Sequence, residues 1–76
     1  MTYEEAKEAI PAGRYRHFKG NEYEVIGISR HTETLEVVVV YKALYGDGAL
    51  WVRPADMWAE PVLDGKAKRF ELIERR

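Results

Sequence analysis

The chain has 76 residues, no cysteine, and a formal net charge of −1 from 12 basic and 13 acidic side chains. That composition excludes a disulfide framework and a thiolate zinc site, and it disfavours a dedicated duplex-DNA binder, which is usually basic overall. No stretch approaches the roughly 20 apolar residues of a membrane-spanning helix, so a soluble cytoplasmic protein with no membrane partner is expected.

The chain opens with TYEEAKEAIPAG. Thr2 and Glu5 have the spacing of a capping box, Glu4 and Glu5 favour the first helical turn, and Pro11 and Gly13 stop the helix. Tyr3, Ala6 and Ile10 share one face, enough to lie against a larger body. From Arg14 the period changes to two. RYRHFK alternates up to a turn at Gly20–Asn21. EYEVIGISR follows, with Glu22, Glu24, Ile26, Ile28 and Arg30 on one face and Tyr23, Val25 and Gly27 on the other. His31–Thr34 is a polar connection of hairpin length. LEVVVVYKAL, β-branched through its middle, predicts a central strand covered on both faces. GDGA is a turn, LWVR a short strand, and Pro54 its terminator. Pro54 also suits the first position of a single helical turn over PADMW. The remaining residues close as a hairpin on the type I′ signal Asp64-Gly65.

So many short strands in so small a chain predict a mostly β fold. The expected form is a small SH3-like barrel of five or six short antiparallel strands, with a short N-terminal helix and a one-turn helix near residues 54–58. The expected organisation is one domain over 1–76: a helix over 1–12, the barrel over 13–73 and a frayed end at 74–76.

Four pieces stand out together: G-x-Y-x-H-F-K-G at Gly13–Gly20, H-T-E at His31–Glu33, V-Y-x-A-L-Y-G at Val40–Gly46 and L-W-V-R-P at Leu50–Pro54. With them, the chain from about Gly13 to Val62 resembles the small bacterial domain-of-unknown-function family 1653. Ser29, Lys42 and Trp58 depart from its usual alanine, arginine and phenylalanine without changing charge. The resemblance implies a compact, mostly β, SH3-like domain and carries over no chemistry.

The residues themselves complete no catalytic constellation. His17 and His31 are the only imidazoles, and zinc needs three or four converging ligands. His31-Thr32-Glu33 has the H-x-E half of a zinc deaminase, but the cysteine half cannot exist. Ser29, the only serine, has no nucleophile elbow around it. GDG is too short for a P-loop and lacks the following Lys-Ser/Thr. No catalytic residue, metal or cofactor is therefore assigned, and an enzyme is disfavoured.

What remains is aromatic and basic. Arg14, Tyr15, His17, His31, Glu33, Tyr45 and Arg53 form the candidate binding surface. Trp51, between Leu50 and Val52, is expected in the core, and Arg53 is expected to be fixed by Glu33 or Asp56. The leading expectation is a non-enzymatic module binding protein or peptide, as a monomer or weak homodimer associating through an edge strand. One alternative is a small barrel binding nucleic acid, supported by Arg14–Lys19 and disfavoured by net charge. The other is a small enzyme or ligand-binding protein using His17, His31 and Glu33, which requires those three to converge.

Overall fold

A computed structural model of the chain describes residues 1–76. The first helix, α1 (Tyr3–Ala9), begins as the sequence predicts: Glu5 N–H donates to Thr2 Oγ1 at 3.1 Å and Thr2 N–H donates to Glu5 Oε1 at 2.8 Å. A helix of 7 residues is too short to persist alone, and Ala6 and Ile10 anchor it in the core.

The strands are β1 (Gly13–His17), β2 (Glu22–Arg30), β3 (Val37–Ala43), β4 (Leu50–Pro54) and β7 (Phe70–Arg75), with a small hairpin of β5 (Pro61–Val62) and β6 (Ala67–Lys68). The five longer strands form one antiparallel sheet in the order β4-β3-β2-β1-β7. The mostly β architecture and both short helices agree with the sequence reading, but the closure does not. β4 and β7 are not paired, so the sheet is open rather than a barrel. It curls enough for Arg53 of β4 to lie over the Phe70 ring of β7, 5.6 Å from its centroid.

Local departures from the expected pattern have local causes. The β2–β3 register shifts between Val25 and Gly27. That bulge puts Ile28 opposite Val39, on the core side with Tyr23 and Val25, instead of beside Glu22 and Glu24. Pro54 stays extended (φ −53°, ψ 136°) in register with Val38, and α2 (Ala55–Trp58) starts one residue later. The last turn forms at Asp64-Gly65 as expected, both at positive φ with Lys66 N–H donating to Leu63 O at 3.0 Å, and a second turn overlaps it, Gly65 N–H donating to Val62 O with Leu63 also at positive φ. The C-terminal residues are paired in the structure. Glu74 and Arg75 pair with Arg14 and Gly13, Arg76 N–H donates to Ala12 O, and the Arg76 guanidinium pairs with Glu24.

Trp58, and not Trp51, centres the core. Its ring stacks on Phe70 at 3.6 Å and 4°, and meets Tyr15 and Tyr41 edge-on at 5.5 and 5.0 Å. Val25, Val39, Ala6, Ile10 and Ala55 complete the cluster. Trp51 is 55% exposed. Its three-residue apolar run reads as core, but an edge strand of an open sheet has no neighbour to cover it. No helix is long and apolar enough to cross a membrane.

Candidate binding site

Side chains alternate across each strand, so one face of the sheet collects a defined set. β1 turns Tyr15 and His17 inward and Arg14 and Arg16 outward. Arg14 pairs there with Glu22 at 3.2 Å, and Arg16 with Glu71 at 3.3 Å. β2 contributes Tyr23, β3 Tyr41 and β7 Phe70. Trp51 and Arg53 lie opposite Tyr41 and Val39 and so share their face.

Where β1 stops and β2 starts, His17 and Tyr23 join Tyr41, Tyr45 and Phe70 in a cluster of rings. Tyr23 contacts Tyr41, Tyr45 and Phe70 edge-on at 5.4, 5.5 and 5.8 Å. The Tyr23 and Tyr45 hydroxyls share a hydrogen bond of 2.9 Å. Burial, reinforced by that bond, pushes the Tyr23 phenol up to about 12, so it stays neutral. His17 sits 4.6 Å from Phe18 and 4.9 Å from Phe70, and its Nδ1 accepts from Lys19 N–H at 3.2 Å. Burial among the rings lowers its pKa, and the charges of Arg53, Arg69 and Lys19 lower it further.

Arg53 is the electrostatic anomaly. The expected pairing with Glu33 or Asp56 does not form: Asp56 takes the Met1 amine at 2.6 Å, and Glu33, in the β2–β3 loop, makes no ion pair. No carboxylate reaches the Arg53 guanidinium, and its buried Nε has no hydrogen-bond partner. It rests on Phe70, beside an imidazole kept from gaining charge. Such a group is suited to a carboxylate or phosphate supplied from outside.

The structure therefore brings His17 and Arg53 together on Phe70, links Tyr45 to them through Tyr23, and adds Phe18 beside His17. Phe70 carries no local motif, and only long-range pairing of β7 with β1 brings it here. The other predicted residues are elsewhere. Tyr15 is buried, with its hydroxyl donating to Pro11 O at 2.7 Å. Arg14 is on the outer face. His31 is at the far end of the nine-residue strand β2, roughly 30 Å from its start by strand rise. Its Nδ1 accepts from Glu33 N–H and Thr34 N–H at 3.2 and 3.4 Å, which ties down the loop. His17, His31 and Glu33 do not converge, and no three His, Asp or Glu side chains gather around one point.

Two comparisons bear on this arrangement. The family described as "Protein of unknown function (DUF1653)" matches residues 13–72. A solved structure titled "Crystal structure of a protein belonging to pfam DUF1653 from Bordetella bronchiseptica" is similar, with 36% identity and a TM-score of 0.79. The match covers 91% of this chain and 94% of that one. No curated protein matches the chain.

Proposed function

This chain belongs to the DUF1653 family, and on that premise we propose that it is a non-catalytic module binding an extended segment of a partner protein. The segment lies along the free edge of β4, and one of its acidic groups meets Arg53. The observation that carries this reading is the Arg53 guanidinium without a carboxylate, on an edge strand that exposes Trp51. A sheet edge offers main-chain hydrogen bonds to an extended segment, and side chains near the edge give specificity. The net charge of −1 favours a peptide over a polyanionic nucleic acid. The cysteine-free composition fits a partner in a reducing compartment such as the cytoplasm.

The test is selection of random linear peptides on the immobilised chain, followed by affinity measurement on Trp51→Ala and Arg53→Gln. Enriched peptides should carry Asp, Glu or a free C-terminal carboxylate beside apolar residues. Arg53→Gln should weaken them about tenfold or more, as loss of a charge-assisted bond does. Equal binding to Arg53→Gln, or no enrichment, would overturn the reading. Salt-sensitive retention of single-stranded RNA in place of peptide would transfer the site to nucleic acid.

A further inference from the structure

A separate cavity of about 310 Å³ opens where the end of α1, the end of α2 and the β6–β7 segment meet. Its volume is at the lower end of the range for small-molecule sites, roughly 300–1,000 Å³. Ile10, Tyr15, Trp58 and Phe70, four of the chain's core residues, line it, with the exposed Leu72 also in its wall. Those four side chains are only 3–6% exposed and form a sealed floor, so the accessible apolar wall is Leu72 with Ala9, Pro11 and Ala59.

The charged lining of the cavity is mostly basic. Lys68, Arg69 and Arg75 border it, against the single carboxylate of Glu8. Neither Lys68 nor Arg75 has a carboxylate within ion-pair distance, and Arg69 reaches only Glu60, at 3.7 Å. The buried Arg69 Nε has no hydrogen-bond partner. Shortage of acid does not explain this, since the chain has 13 acidic side chains to 12 basic ones. Tyr15 adds no competing charge: its hydroxyl proton is committed to Pro11 O, and burial pushes the phenol up to about 12.

We infer that this cavity binds a small amphipathic carboxylate, an acid whose aromatic or branched apolar body packs against Leu72, Pro11 and Ala59 above the sealed ring layer while its carboxylate meets the cationic rim of Arg75, Arg69 and Lys68. A free phosphate supplies charge without the apolar body that the lining accommodates. A planar carboxylate matches the guanidinium fork. The cavity shares Phe70 with the proposed peptide site, but Arg53 is not part of its lining.

The experiment is titration of the full chain with phenylacetate, followed by backbone amide shifts and tryptophan fluorescence. Phenylacetamide and inorganic phosphate are the paired probes. Phenylacetate should shift the amides of Ile10 and Leu72. Phenylacetamide should bind about tenfold more weakly, and phosphate should leave those amides unmoved. Arg75→Gln and Lys68→Gln replace exposed side chains, so the fold should survive, and each should weaken phenylacetate severalfold to tenfold. Arg53→Gln should leave phenylacetate affinity unchanged, which separates failure here from failure of the peptide site. Equal affinity for acid and amide, shifts confined to residues outside the cavity, or indifference to both Arg75→Gln and Lys68→Gln would overturn the assignment.

Discussion

Replacing each tryptophan by alanine separates the two roles that the structure gives them. Trp58 is 3% exposed, stacked on Phe70 at 3.6 Å and flanked edge-on by Tyr15 and Tyr41. Burying about 200 Å² of a tryptophan at about 25 cal/mol per Å² corresponds to about 5 kcal/mol. A compact unfolded state already buries part of that area, which brings the expected loss for Trp58→Ala to about 3–5 kcal/mol. A 76-residue domain at about 0.05–0.15 kcal/mol per residue has about 4–11 kcal/mol in total. Trp58→Ala should therefore leave the chain close to its unfolding threshold. Trp51 is 55% exposed, and removing it should cost about 1 kcal/mol or less. Urea unfolding followed by far-UV circular dichroism measures both without relying on tryptophan emission. A loss for Trp51→Ala equal to that for Trp58→Ala would refute the placement of the core and, with it, the exposed β4 edge.

Three further substitutions probe the backbone and the site. Gly13 has φ +153°, and a Cβ there would meet Glu74 O at 2.3 Å. Gly13→Ala must push β7 from β1 and should cost about 2–4 kcal/mol in a urea titration, and a shift near zero would contradict that close approach. Leu35 is 67% exposed at φ +62°, where a side chain costs roughly 1–2 kcal/mol, so Leu35→Gly should gain about 0.5–1 kcal/mol after the greater freedom of glycine in the unfolded chain is counted. That is a rise of about 2–8 °C in Tm, and a fall would show that the Leu35 side chain makes a contact worth more than its strain. His17 is a base whose folded pKa is lowered from 6.5, first by burial and then by Arg53, Arg69 and Lys19. The unfolded chain takes up the proton first, so stability should fall as pH drops through the region of 6.5 and level off below the folded pKa. His17→Gln should flatten that slope. A His17 midpoint at or above 6.5 by NMR would contradict the burial and the converging cations.

What was legible in the sequence was what neighbouring residues decide among themselves. The Thr2–Glu5 capping box needs only a three-residue spacing. The Gly46–Gly48 turn needs only two glycines at positive φ and Asp47, whose Oδ1 accepts from Ala49 N–H at 3.1 Å. Trp51 and Trp58 were not separable on that basis. Each sits in a short apolar segment, and the difference is whether another element covers it, which depends on how β4, α2 and β7 are placed. The bulge at Ile26 was equally hidden, since it inverts the alternation downstream and turns Ile28 inward. Of the candidate surface, His17, Tyr45 and Arg53 were chosen for composition; His17 and Arg53 both reach Phe70, and Tyr45 joins them only through Tyr23. His31 and Glu33 were chosen on the same ground, and β2 holds them at its opposite end.

The two edges of the open sheet are treated differently, and that difference gives the Arg53 site its weight. A free edge invites pairing with another strand, and soluble proteins blunt it with charge. β7 is blunted: it carries Glu71, Glu74 and Arg75, and Glu71 pairs with Arg16. β4 presents Leu50, Trp51 and Val52, with Leu50 and Val52 66% and 64% exposed, and its one charge is the unpaired Arg53. Arg53 reaches across the seam to Phe70, so the same side chain that caps the aromatic core on one side offers an uncompensated charge on the other. Charge was available for the β4 edge, as the chain is one-third charged residues. An apolar edge ending in a guanidinium without a counterion leaves exposed apolar surface and a poorly satisfied cation in the free chain. Under the proposed function one event would meet both deficits, the docking of an extended segment that pairs with β4 and places an acid on Arg53.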